Sequence, residues 1–132
     1  MRLYHFTAAE YLNGIKQNGI VRGHVATSPT EALQAPWLTS DPSWDAQRWT
    51  HSSAHDKSRF RLTVEFPDNT RGLWHWPRLA RELKVSPEWF KIQSDLRGDP
   101  EPWYVFYGVI PPEWIVAVDE RPADIKPSPA EE

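Results

Sequence analysis

Leu3-Tyr4-His5-Phe6-Thr7, followed by Ala8–Ile20, is the stretch from which the rest of the chain can be read. The five residues form a short apolar strand that carries His5 and Thr7. They stand two apart, so on a strand both side chains point to one face. Tyr11, Leu12, Ile15 and Lys16 then recur at helical spacing. Asn18-Gly19 closes that helix, because Gly just past the last apolar residue is a stop signal. A strand ending in His and Thr, a short helix and a Gly-closed turn make a corner where a ligand can be held.

Outward from that corner, Val21–Ala35 has no clean period and reads as loop, with one helical turn at Glu31–Gln34. Trp37–Thr39 is a second short strand. Ser40 or Asp41 then caps a helix with Pro42 in its first turn, carrying Trp44, Gln47, Arg48 and Trp49. His51–Ser58 is a polar, mobile loop. Arg59–Phe66 is the clearest strand: Phe60, Leu62, Val64 and Phe66 alternate with Arg59, Arg61, Thr63 and Glu65. Leu73–Trp76 is a Trp-rich turn or edge. Arg78–Val85 reads as a helix with Leu79 and Leu83 inward, and Ser86-Pro87 caps and starts another. After a polar loop at Arg97–Pro102, Trp103–Ile110 is an apolar strand that Pro111-Pro112 breaks. Ile115–Val118 is the last strand. The sum is an α+β domain of five or six short strands with two to four short helices. The expected division is one domain over residues 1–120 and a flexible tail of Pro, Ala and charge over 121–132.

A chain of 132 residues suits one domain with a real core. The formal net charge of −3 argues against broad binding to duplex nucleic acid, which needs a strong basic field. A local basic groove is compatible with it. There is no cysteine, hence no disulfide, thiol nucleophile or thiolate metal site, which fits a reducing cytoplasm. No apolar run approaches the ~20 residues of a membrane span, and no signal-peptide core is visible. The expectation is a cytoplasmic protein without a membrane partner. Eight Trp and 13 Pro are well above the usual share. Trp serves core and interface, and it is also the favoured surface for stacking a flat ring. Dense Pro means short elements and stiff loops.

Together the pieces resemble the ADP-ribosyltransferase superfamily, which includes diphtheria-toxin-type and PARP-type enzymes, DNA-targeting transferase toxins and tRNA 2′-phosphotransferases. The resemblance covers roughly Arg2 to Val118. It rests on Tyr4-His5-Phe6-Thr7 with Leu12, Ile15, Gly19 and Ile20, on Trp37-Leu38-Thr39-Ser40 with an aromatic-bearing helix, and on Trp103–Tyr107 with Ile110-Pro111-Pro112. It implies a split antiparallel sheet with short flanking helices around an NAD cleft. His5 would match the His that bonds the nicotinamide ribose, Thr7 the hydroxyl residue beside it, and Trp44 an aromatic stacked on the nicotinamide. PARP-type enzymes start the late strand with Glu. Here Trp103 stands there, and Glu101, two residues earlier, matches the first acid of a Glu-x-Glu pair.

Cleaving the nicotinamide–ribose bond passes through an oxocarbenium-like state. It needs an ordered ribose, a carboxylate and a clamp on the pyrophosphate. His5 can order the ribose; its plain alternative is a His bonded to backbone at a strand end. Glu101, between Pro100 and Pro102, is the catalytic candidate, against a solvated loop acid. Glu65 suits an ion pair with a neighbouring Arg, and Glu113 begins a turn. Arg59, Arg61 and Arg22 are the phosphate candidates, against solvated cations. Trp74-His75-Trp76 is the expected exposed aromatic patch. His51 and His55, four apart, lack a third ligand, so no metal is assigned. The expected function is NAD-dependent ADP-ribose transfer to a macromolecular acceptor, as in a toxin or phage-encoded modifier. The alternative is an inactive nucleotide- or protein-binding module on the same fold. A single-stranded nucleic-acid binder using Trp with Arg59 and Arg61 is the third reading.

Overall fold

β1 (Arg2–Thr7) forms where the opening motif predicts it, and α1 (Ala9–Asn18) follows at once. A computed structural model describes residues 1–44 and 58–125. The expected helix through Gln47, Arg48 and Trp49, the loop from 51 to 57 and the tail beyond 125 lie outside them. The other elements are β2 (Val25–Ala26), β3 (Ala32–Leu33), β4 (Trp37–Thr39), β5 (Phe60–Glu65) and β6 (Leu73–His75). After these come α2 (Trp76–Glu82), α3 (Pro87–Arg97), β7 (Trp103–Phe106), a 3-10 turn at Pro112–Trp114 and β8 (Ile115–Glu120).

Six strands join into one antiparallel sheet in the order β6-β7-β4-β1-β5-β8, and β2-β3 is a separate hairpin. The α+β class is therefore correct. Along β1, Leu3, His5 and Thr7 point to one face and Arg2, Tyr4 and Phe6 to the other. The first face is the main core: Leu3, Leu38, Leu62, Val64, Phe66 and Phe106, closed by Ile15 of α1. The second core lies on the opposite face over β4 and β7, where Trp37, Trp103 and Val105 meet Trp76, Leu79 and Ala80 of α2.

The sheet is not flat. By register, Phe66 at the end of β5 and Phe106 at the end of β7 are six residues apart along the strands. A flat sheet would separate them by ~20 Å. Their rings are 5.3 Å apart, and Trp114 packs on both. The halves β6-β7-β4 and β1-β5-β8 therefore fold toward each other across the His5 face, as in orthogonal sheet packing.

Several local expectations are corrected. Glu31–Gln34 is not a helical turn; Ala32–Leu33 pairs with Val25–Ala26. The hairpin is pinned by its Ala26 carbonyl, which accepts from Trp89 Nε1 and Gln93 Nε2. The second helix runs over Trp76–Glu82, not Arg78–Val85. Lys84 then turns left-handed at φ 58°, which leaves Leu83 outside. Trp76 is core rather than part of an exposed patch. The late strand stops at Phe106, because Gly108 turns the chain at φ 125°. Ile110 bonds Ile20 instead. The last strand continues past Val118 to Glu120. Ser86 caps α3 as expected, its hydroxyl accepting from the Trp89 amide. Phe60 is only half-buried. Glu65 does pair with an Arg, namely Arg2 at the surface.

Leu62 is fully buried between β1 and β8. Leu62→Ala removes a core side chain and leaves a cavity, so a denaturant melt should show a loss of ~2–5 kcal/mol. A melt like the parent's would contradict the face assignment.

Candidate functional site

The join between β1 and β4 is short. They share one register pair, Tyr4↔Thr39, whereas β1 shares six with β5 and β4 shares three with β7. This join, with the fewest register pairs in the sheet, is the seam between β6-β7-β4 and β1-β5-β8. His5 sits in it, half-buried, with Nδ1 2.8 Å from the Trp37 carbonyl oxygen. A carbonyl only accepts, so Nδ1 carries the proton. In the neutral ring Nε2 is then the acceptor nitrogen. Thr7 is buried two residues on, on the same face, just before α1. The turn after α1 is fixed by Gly19, whose amide donates to Ile15. Ile20 and Ile110 next to it exchange both backbone bonds.

The other candidates do not gather there. Trp44 lies edge-on to Phe6, with centroids 5.5 Å apart, on the opposite side of β1 from His5. Its face is covered by the Arg61 guanidinium, 4.8 Å from the ring centre. Arg61 also lies over Tyr4, donates to the Pro42 carbonyl at 2.8 Å and pairs with Asp119 at 3.3 Å. It is a structural cation between two aromatic rings. Arg59 is paired with Glu120 at 3.2 Å. Both arginines are thus held in ion pairs with β8. Arg22 is exposed in the loop after Ile20.

Glu101 points outward, its side chain 76% exposed, with Oε1 3.7 Å from His75 Nε2. The same nitrogen donates to the Glu101 carbonyl at 2.7 Å. Glu101 precedes β7, and β4 stands between β7 and β1, a lateral distance of ~10 Å from the His5 strand. Trp103 is 5% exposed and packs edge-on against Trp37 at 5.8 Å. Its indole belongs to the second core, on the face away from His5.

Sequence reasoning missed two features. The first is the acidic end of β8: Asp119 and Glu120 neutralise the arginines of β5, and Glu120 stands by register on the Thr7 face. The signal was present, since two adjacent acids follow the last strand and Arg59 and Arg61 open an earlier one. The second is a small recess behind Trp37, Trp76 and Trp103, bordered by Gln93, Gly98 and Pro100. Gln93 Oε1 is buried beside it without a partner. Among the described residues no group of three His, Cys, Asp or Glu can hold a metal ion, and no helix is long and apolar enough to cross a membrane.

No protein-family model, curated protein or solved structure matches this chain.

Proposed function

We propose that this chain is an ADP-ribosyltransferase-like domain that holds NAD, or a related adenine nucleotide, in the seam between β1 and β4. One observation carries the reading. β1 and β4 share a single register pair, and His5 stands at their join, its Nδ1 donating to the Trp37 carbonyl and its Nε2, in the neutral ring, being an acceptor. A ribose hydroxyl is the kind of donor such a nitrogen accepts. The motif that supplies it, Tyr4-His5-Phe6-Thr7, is also the residue pattern that resembles the superfamily.

Transfer chemistry and binding alone are the two forms of this reading. The outward Glu101 favours a module that binds the nucleotide without using that acid. The full transferase, moving ADP-ribose from NAD to a macromolecular acceptor, is the second reading. Glu101→Gln separates the two. A transition-state contact is worth ~100-fold or more in turnover. A solvated acid is worth almost nothing, and equal NAD consumption by parent and variant is expected.

Binding is tested by titrating NAD while following tryptophan fluorescence and the thermal midpoint. A saturable change and a raised midpoint are expected. No shift at millimolar NAD would remove the reading. A ring that stacks on a base contributes ~1–3 kcal/mol, so losing it would weaken binding roughly fivefold or more. Trp44 already stacks with Arg61, so Trp44→Ala should leave NAD affinity within about twofold.

A further inference from the structure

Asn69 to Arg81 is a run of thirteen residues without an acid, bounded by Asp68 and Glu82. It contains Arg71, Arg78, Arg81, Trp74 and His75, and Lys84 follows shortly after. The stretch builds β6, which is an edge of the sheet, and most of α2. α2 turns Trp76, Leu79 and Ala80 into the second core, which leaves Arg78 and Arg81 on its exposed side, one turn apart. Arg71, Arg78, Arg81 and Lys84 are all exposed. Among the described residues none of them has an acid within ion-pair distance, unlike Arg2, Arg59, Arg61 and Lys91. The Arg78 guanidinium lies 5.6 Å from the centre of the half-exposed Trp74 ring. This surface therefore has four exposed cations outside ion pairs, one of them against an aromatic ring, with the exposed Glu82 on the same helix, in a chain whose net charge is −3.

From this charge pattern we infer that the β6–α2 surface binds single-stranded nucleic acid. The arginines meet backbone phosphates, and Trp74 with Arg78 offers a flat platform on which an unstacked base rests. A duplex hides its base faces, and this local patch is too small to hold a duplex against the acidic remainder of the protein. The expected third reading of the sequence placed such binding on Arg59 and Arg61. Those two are neutralised by β8, whereas Arg71, Arg78, Arg81 and Lys84 lie by β6, at the other edge of the sheet. The inference does not depend on the NAD reading, because binding is measured without NAD.

The experiment is fluorescence anisotropy of a labelled oligothymidine, about 20 nucleotides long, against the full chain over a salt series. With three to four phosphate contacts, the logarithm of affinity should fall against that of salt with a slope of about −2 to −3. Arg78→Gln combined with Arg81→Gln should lower the magnitude of that slope by about 1.4. Both residues are exposed, so the variant should melt like the parent, and circular dichroism checks that it does. Trp74→Leu should weaken binding roughly fivefold without changing the slope. Absence of salt-dependent binding at low salt, or an unchanged slope in the double variant, would overturn the inference. So would equal affinity for duplex DNA. Tighter binding of polyglutamate than of oligothymidine would assign the surface to an acidic protein instead.

Discussion

Gly19→Ala should destabilise the domain by ~3–5 kcal/mol, while Gly14→Ala, five residues earlier, should stabilise it slightly. At Gly19 the backbone lies at φ +82° and ψ −174°, a region essentially reserved for Gly, where a side chain costs ~1–3 kcal/mol. A Cβ there would also lie 2.1 Å from the Ile110 carbonyl oxygen, which is backbone and cannot swing away. Relief requires moving the segment that exchanges two backbone bonds with Ile20, each worth ~0.5–1.5 kcal/mol. Ile20 and Ile110 are both core residues, so the shift reaches the packing of α1. Gly14 is an exposed residue inside α1 with nothing near its would-be Cβ. Ala there removes the helix penalty of Gly, ~0.5–1 kcal/mol. In a domain of this size the first change should lower the melting midpoint by roughly 10–20 °C. Equal effects at the two sites would show that the turn does not lock α1 to the Ile110 segment.

That turn was legible in the sequence, since Gly after an amphipathic run is a local signal. So were β1, β4, β5 and the Ser86 cap, because each rests on a spacing or on one residue type. What could not be read is what depends on neighbours across the sheet. β2 and β3 have two residues each, too few to show a period. The helix end at Glu82 is set by the left-handed Lys84, which no apolar spacing marks. The aromatic residues divide between two cores according to strand parity and helix packing. Trp37 and Trp103 lie on one face, Phe106 on the other, and Trp44 lies against Phe6. The same holds for the candidate site. His5 and Thr7 share a face by strand parity alone, and the structure keeps them so. Arg61 is a phosphate candidate by strand parity with Arg59 and Trp44 a stacking candidate by resemblance, and both belong to the other side of β1. The ion pairs of Arg59 and Arg61 depend on β8 standing beside β5, which no local spacing marks.

His5 decides between a structural and a binding role, and the two ring nitrogens allow them to be separated. Nδ1 donates to the Trp37 carbonyl across the seam. An Asn side chain places its amide nitrogen close to where Nδ1 stands, and it has nothing in the position of Nε2. His5→Ala removes both functions. It should cost ~1–3 kcal/mol of stability, because the seam loses a hydrogen bond and leaves a half-buried carbonyl unmet. His5→Asn should recover most of that loss in a denaturant melt. For NAD the two variants should behave alike. Both lack the acceptor for a ribose hydroxyl, so affinity should fall by about tenfold in each, the size of one well-placed hydrogen bond. If the protein also turns NAD over, the rate should fall by ~100-fold in each, because an ill-oriented ribose loses the positioned geometry. Stability rescued by Asn with NAD binding still lost assigns Nε2 to the ligand. Rescue of both would mean that the seam needs only the Nδ1 bond, and the nucleotide would then lie elsewhere. Loss of stability in both variants without rescue would show that ring shape, rather than the donor, holds β1 to β4.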